Sequence, residues 1–443
     1  MSGTIKVGLL GCGTVGTGVL RILSENRSDI VARLGTDIEV TRILVKDLER
    51  ERDPAIPRHR LTTELADVLA SEPEVVVEVL GGYEPARTYT LAALAAGCHV
   101  VTANKALLAR HGAEIFGAAD EAEKDVIFEA SVGGGIPIIR TLREGLAADR
   151  IDSIHAIING TSNYMLTGMA RGAAYRDVLA EAQARGYAEA DPTMDVGGFD
   201  AAQKLSILIS VSFGADIPFD QITTEGLDRL TPADFAFARQ FGYAVKPLAV
   251  AKSHAATDPE ADAQVEIEAR VAPHLIPLDS MLAHTDGVFN AVRVHSRALG
   301  PVLFYGQGAG MMPTAAAVVS DIIEAARNII GETYGRLPHL AFHKDLVRPS
   351  RLARSAASEC PFYLRFTVWD QPGVIARIST ILGAHNISIR KMAQEQAEPG
   401  HPVPVVILTH LAREGSVREA LAAIDALPFV TEPTCYLRVE DIR

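Results

Sequence analysis

The alternation of apolar and polar positions divides this chain into three blocks. From residue 4 to about 130, short apolar runs alternate with stretches of helical periodicity. The runs at 4–10, Ile38–Val45, Val75–Leu80, His99–Thr102 and Asp125–Glu129 read as strands. Between them, Thr17 to about 34, Glu64–Ala70, 86–96 and 112–124 read as helices. Strands alternating with helices predict a parallel sheet with right-handed crossovers. The run Val75-Val76-Val77 is continuously apolar, as a strand must be when helices cover both faces of its sheet.

The second block, 131–310, follows Glu129-Ala130-Ser131 with a glycine triplet, Gly133-Gly134-Gly135, and Ile136-Pro137. It holds a strand at Ile151–Ile158, a polar loop at 186–198, an apolar helix at Phe199–Phe213 and β-rich sequence from about 241 to 305. Gly306-Gln307-Gly308-Ala309-Gly310 leads into a helix, 313–330, expected to pack back on the first block. A basic, irregular stretch at 335–359 (Arg336, His343, Lys344, Arg348, Arg351, Arg354) reads as a linker. The third block, 360–443, runs strand Phe362–Val368, helix Val374–His385, strands Ile387–Gln394 and Val403–Leu411, helix Ser416–Ala426 and strand Pro433–Val439. That βαββαβ order is the ferredoxin-like plan. The expected fold class is therefore α/β: a Rossmann-type domain at 1–130, an α+β domain at 131–310, and a small ferredoxin-like domain at 360–443.

A length of 443 residues suits about three domains. A net charge of −13 argues against a nucleic-acid or anionic-membrane partner. The start MSGTIK has no signal-peptide character, and no apolar run is long enough to span a bilayer. Cys12, Cys98, Cys360 and Cys435 are scattered and form no CxxC pair, which suits a reducing cytoplasm.

The first chemistry lies where the first strand ends. Gly11-Cys12-Gly13-Thr14-Val15-Gly16 stands between a strand and a helix, the setting of a dinucleotide-binding loop. The first glycine makes the turn, the second lets a pyrophosphate approach, and the third lets helix and strand pack. The helix N-terminus offers free N–H groups to phosphate. An ordinary glycine turn is the plainer alternative. Strand two ends Val45-Lys46-Asp47. A basic group there suits the 2′-phosphate of NADP, and an acid suits the ribose of NAD, so Lys46 leans toward NADP while Asp47 leaves NAD open.

Lys105 follows a strand end, where ligands gather in an open α/β sheet; taken alone it is better read as a solvated lysine. Glu189 sits among turn formers, where acids are usually just solvated. Asp200 and Lys204 stand four apart on one helix face. A helix ion pair of a few tenths of a kcal/mol is the bland reading. The apolar run that follows, Leu205-Ser206-Ile207-Leu208-Ile209, favours the mouth of a cleft instead.

Six motifs in order then resemble the homoserine dehydrogenase family, in its long monofunctional form with a C-terminal ACT domain. They are GCGTVG at 11–16, VTANKALL at 101–108, FEASVGGGIPII at 128–139, INGTSNYML at 158–166, GYAEADPTMDVGGFDAAQKL at 186–205 and GQGAGMMPTAAAVVSD at 306–321. DQPGVIARISTILGAHNISI at 370–389 is similar to ACT domains generally. The resemblance implies reversible hydride transfer between NAD(P) and L-homoserine, giving L-aspartate 4-semialdehyde, in a cytoplasmic homodimer or homotetramer. It implies Lys204 as proton donor and acceptor with Lys105 beside it, and Glu189 and Asp200 as holders of substrate. It implies a monovalent-cation site, Na+, from Glu129 and the carbonyls of Val132, Gly134 and Ile136. It places Gly11, Gly13, Thr14, Val15, Gly16, Lys46, Lys105 and Gly306 at the cofactor. An amino-acid effector, with threonine the first candidate, is expected at the turn Asp370–Gly373.

Two other readings remain open. An aspartate-semialdehyde dehydrogenase needs a nucleophilic cysteine, and no cysteine lies between Cys98 and Cys360. A cofactor-binding amino-acid sensor would keep the glycine loop but has no need for Glu189, Asp200 and Lys204 together.

Overall fold

The computed structural model describes residues 3–54, 56–254, 265–344, 350–394 and 401–442. Arg348 of the basic stretch lies outside the described residues. In chain order, the first block folds as β1 (Ile5–Leu10), α1 (Thr14–Glu25), α2 (Arg27–Leu34), β2 (Ile38–Leu44), β3 (Leu61–Thr62), α3 (Leu65–Ala70), β4 (Val75–Glu78), α4 (Ala86–Ala95), β5 (His99–Thr102), α5 (Lys105–Ala122) and β6 (Val126–Ile127). There follow α6 (Ile138–Arg140), β7 (Ile151–Ile157), α7 (Gly160–Met169), α8 (Tyr175–Ala184), α9 (Thr193–Val196), α10 (Phe199–Phe213), β8 (Thr223–Thr224) and α11 (Pro232–Phe241). Next come β9 (Tyr243–His254), β10 (Val265–Pro277), β11 (Phe289–Ser296), β12 (Gly300–Gln307) and α12 (Met311–Ile330). The C-terminal part holds β13 (Ser350–Leu352), β14 (Glu359–Cys360), β15 (Phe362–Val368), α13 (Val374–Ala384), β16 (Ile389–Gln394), β17 (Val403–Thr409), β18 (Ala412–Arg413), α14 (Glu414–Asp425) and β19 (Val430–Val439).

The chain forms two compact units. The first comprises Met1–Asp152, Gln203–Gln221 and Asn290–Ser350; the second comprises Ser153–Ala202, Ile222–Phe289 and Arg351–Arg443. In the first, a parallel sheet runs β3-β2-β1-β4-β5-β6. Its order reverses between β1 and β4, which opens a crevice at the carboxyl ends of those strands. Val75, Val76 and Val77 are wholly buried, as a strand covered on both faces requires. Ala315, Val318, Val319 and Ile322 of α12 share one core with Val7, Leu9, Val19 and Ile43.

Two helix boundaries differ from the pattern's prediction. The stretch read as one helix to about 34 divides at Asn26 into α1 and α2. The helix expected from 112 begins at Lys105, because the Asn104 side chain accepts from the Leu107 N–H and caps it. Lys105 therefore opens a helix rather than trailing from a strand.

In the second unit the strand order is β7-β9-β10-β19-β15-β17-β16. Strands β19-β15-β17-β16 with helices α13 and α14 are the ferredoxin-like element, and its strands pair antiparallel. Its last strand also pairs parallel with β10, His274 opposite Arg438 and Leu275 opposite Val439. The small domain and the long hairpin β9–β10 thus share one sheet. Among the described residues, no helix is long and apolar enough to cross a membrane.

Candidate active site

The glycine loop is a tight turn between β1 and α1. Gly11 has φ +102°, and a Cβ there would lie 2.9 Å from the Val79 carbonyl oxygen. A Cβ on Gly16 would come within 2.2 Å of the Gly11 carbonyl, so helix and turn pack only with glycine. Gly13 faces open space and caps α1 without a side-chain hydrogen bond. The N–H groups at Thr14 and Val15 are thus presented to an anion. Lys46 is exposed just beyond β2. The loop after it also carries Arg50 and Arg52. The Arg52 guanidinium bonds the carbonyls of Asp47 (2.5 Å) and Arg50 (2.9 Å). These arginines went unread in the sequence, where they sit in a mixed-charge run that looks like ordinary solvated loop.

At the same sheet edge, Glu78 ends β4 and is fully buried. Its carboxylate accepts from Thr102 Oγ1 (2.6 Å), the Leu80 N–H (2.8 Å) and Asn104 Nδ2 (3.4 Å). Burial raises its pKa against those hydrogen bonds. Lys105, half-buried, follows Asn104 directly. Lys204 is half-buried on α10, one residue after Gln203, whose amide donates to Tyr83 Oη at 3.4 Å. Arg110 of α5 lies over the Tyr83 ring, 5.1 Å from its centroid. Tyr83 thus ties the segment before Lys204 to the helix that Lys105 opens. Farther along, α5 and α10 flank a cavity of about 780 Å³ closed by 334–344.

The Gly133–Gly135 turn interleaves with the segment containing Gly306. Gly134 has φ +57°, and a Cβ there would sit 2.5 Å from the Gly308 carbonyl oxygen. The Gly135 N–H donates to the Gln307 carbonyl (3.2 Å), and Gly306 ends up against the Ile136 side chain. Glu129 is buried. Its two oxygens accept from the N–H groups of Ile139 (2.8 Å) and Arg140 (2.7 Å), and its own N–H donates to Asp321 (2.8 Å). Burial raises the pKa of both acids, and for Asp321 the nearby Glu129 adds to it.

In the second unit, Asn159 gathers two carboxylates. Its Nδ2 donates to Asp195 and to Asp200, each at 2.8 Å, while its Oδ1 accepts from Ser162 N–H and caps α7. Ser162 Oγ donates to the Asp195 carbonyl (2.9 Å), and Thr161 Oγ1 to that of Tyr187 (2.6 Å). The NGTS turn therefore grips the loop that carries Glu189. Asp200 is buried; the Glu189 side chain is exposed, with its carbonyl held by Gln183 Nε2 (3.0 Å). Asn159 and Asp195 were not given roles from sequence, although both lie inside quoted motifs.

In the ferredoxin-like element, Asp370 and Gly373 line a cavity of about 180 Å³ with Trp369, Val374 and Gln394. Gly373 (φ +93°) opens α13 without a side-chain cap, leaving that helix end presented to the cavity. Among the described residues, no cluster of three or more His, Cys, Asp or Glu side chains could hold a metal ion.

Known proteins agree with this architecture along the whole chain. Residues 11–129 match the family model for the homoserine dehydrogenase NAD binding domain, 137–323 that for homoserine dehydrogenase, and 362–429 that for the ACT domain. The homoserine dehydrogenase of Pseudomonas aeruginosa is 44% identical over 99% of each chain, and that of Bacillus subtilis 38% over 98% of each. Among solved structures, a homoserine dehydrogenase from Thiobacillus denitrificans superposes with a TM-score of 0.92 at 44% identity, covering 100% of this chain and 99% of that one. A hyperthermophilic archaeal homoserine dehydrogenase in complex with NADPH matches 73% of this chain and 98% of its own, with TM-score 0.59 and 25% identity. This chain belongs to the homoserine dehydrogenase family of oxidoreductases, with a Rossmann-like NAD-binding domain, a catalytic domain and a C-terminal ACT domain.

Proposed function

We propose that the chain interconverts L-homoserine and L-aspartate 4-semialdehyde by hydride exchange with NADP, NAD serving less well, under feedback by L-threonine at the ACT domain. The observation that carries the activity is the full-length likeness at 44% identity, with Asp200 and Lys204 four residues apart on one helix. Oxidising an alcohol needs a hydride acceptor, which the nicotinamide supplies, and a base for the hydroxyl proton. Lys204 takes and returns that proton. Lys105 acts beside it in the same proton transfer. In the reduction direction a protonated lysine stabilises the developing alkoxide before giving up its proton. Glu189 and Asp200 hold the α-ammonium of the substrate by charge-assisted hydrogen bonds. Gly11, Gly13, Thr14, Val15 and Gly16 receive the pyrophosphate, Gly306 lies by the cofactor, and Lys46 takes the 2′-phosphate. The exposed position of Lys46 and the presence of Arg50 and Arg52 on the same loop support NADP.

Glu129 with the carbonyls of Val132, Gly134 and Ile136 would hold a monovalent cation, Na+. A buried carboxylate with main-chain oxygens is a hard donor set of the kind such ions take. The protein is proposed to work as a homodimer or homotetramer, a size that light scattering reads directly.

The test is formation of reduced nicotinamide from L-homoserine with each cofactor. Homoserine-dependent NADPH formation exceeding NADH formation supports the reading. No turnover with either cofactor favours the amino-acid sensor. For regulation, the assay is threonine inhibition of the full chain and of Asp370→Ala. Removing the ACT domain is a poor test, because β19 pairs with β10. Loss of inhibition in Asp370→Ala places the effector at that turn; inhibition equal to that of the unsubstituted chain places it elsewhere.

A further inference from the structure

Glu78 stands at the reversal point of the parallel sheet. In the strand registers it lies opposite Leu10, which leads into the glycine loop, and opposite Thr102, which leads to Lys105. Valines fill the three positions before it, and an aliphatic side chain there would avoid the cost of burying a carboxylate. Its partners are all uncharged: Thr102 Oγ1, the N–H groups of Leu80 and Gly81, and Asn104 Nδ2. The carboxylate therefore needs a reason other than packing or an ion pair.

Its partners supply one. Thr102 Oγ1 donates to Glu78 and accepts from the Asn104 N–H at 3.0 Å. Asn104 Nδ2 donates to the Gly82 carbonyl at 2.8 Å and to Glu78, while its Oδ1 caps α5 at Leu107. Main chain and both ends of the Asn104 side chain are thus fixed through one carboxylate, and the next residue is Lys105.

We propose that Glu78 is a positioning residue for Lys105: with Thr102 it locks Asn104, and so sets the backbone from which the lysine side chain reaches the reacting groups. The inference rests on the reading of Lys105 as part of the proton-transfer step. A small misplacement of such a group is costly, up to about a hundredfold in rate for roughly 1 Å.

The experiment is steady-state kinetics of homoserine oxidation for Glu78→Gln, Thr102→Val, Thr102→Ser, Lys105→Ala and the double variant Glu78→Gln/Lys105→Ala, in the full chain. Glu78→Gln keeps the shape but turns an amide N–H₂ either toward the donors on Oε1 or toward Thr102 Oγ1, which must then stop donating and accept instead. The expected result is a fall in kcat of about ten- to a hundredfold with KM for homoserine little changed. Thr102→Val should follow it, Thr102→Ser should restore the rate, and Glu78→Gln should add nothing once Lys105 is alanine, because the two act through one group. Unchanged kcat in Glu78→Gln, or an effect of the same size with and without Lys105, overturns the proposal. If Glu78→Gln does not fold, the Thr102 pair decides, and failure of serine to rescue overturns it. Normal kcat in Lys105→Ala overturns the reading of Lys105 and the inference with it; loss of rate there with none in Glu78→Gln overturns the inference alone.

Discussion

Glu440 lies just past β19, where Lys252 Nζ (2.7 Å), His155 Nε2 (3.3 Å) and the Arg270 guanidinium converge on its carboxylate. Glu78 lies at the end of β4, where only uncharged donors meet it. Both are almost wholly shut away from solvent, and burial alone raises the pKa of either. At Glu440 the hydrogen bond from His155 and the fields of Lys252 and Arg270 win, and the pKa falls well below the ordinary 4.5. At Glu78 burial wins and the pKa rises. Partner charge rather than depth decides which way a buried acid moves. The cation-bound acid ties the end of β19 to β7, β9 and β10; the acid without cations stands at the sheet edge where ligands gather in such folds.

The two acids make opposite contributions to stability against pH. A carboxylate with a depressed folded pKa binds fewer protons folded than unfolded, so its stabilisation is complete above 4.5 and is lost as pH falls through the folded value. A carboxylate with a raised folded pKa binds more protons folded, so it costs stability as pH climbs from 4.5 toward its folded value.

The largest effect is expected at the joint. Glu440→Ala leaves His155, Lys252 and the nearly wholly buried Arg270 without their shared acceptor, Arg270 keeping only the Glu268 carboxylate of the two that hold it, and should cost about 3 kcal/mol. Urea unfolding measures it, and a midpoint close to the unsubstituted chain would break the comparison. Glu189 is a third kind of acid, exposed, and on the proposed function its cation comes from the substrate. Glu189→Gln should raise KM for homoserine about ten- to a hundredfold, the equivalent of roughly 1.5–3 kcal/mol, with less effect on the cofactor. Equal effects on both ligands would mark a folding defect instead. At Glu78 the comparison sharpens through pH: Glu78→Gln should remove a decline in unfolding free energy as pH climbs above 4.5. An unaltered pH profile of stability would mean that the carboxylate is not raised. The smallest change concerns an exposed cation. Lys46→Asp should move the ratio of NADP to NAD turnover toward NAD, and an unchanged ratio would assign the 2′-phosphate to Arg50 or Arg52.

Much of the fold was open to reading because periodicity reports burial. The valine run of β4, the glycine loop and the βαββαβ order all appear in the structure. What escaped is set by partners distant in sequence. Asn104 looks like any polar residue before a helix, and its role as cap and as ligand of Glu78 needs β4 and β5 side by side. Asn159 likewise shows its use only when the 186–200 loop folds onto it, 36 and 41 residues along the chain. The pairing of β19 with β10 left no periodic trace, since both strands read simply as strands. Nothing in the local pattern Val439-Glu440-Asp441 marks Glu440 as the buried acid it is.

Proton transfer in the proposed reaction rests on the lysines, and the direct measurement is kcat for homoserine oxidation by Lys204→Ala against the unsubstituted chain at saturating substrate and NADP. Loss of the proton acceptor predicts a fall of about a hundredfold or more, with the folded state intact by thermal unfolding. A Lys204→Ala protein that turns over homoserine at nearly the unsubstituted rate would contradict it.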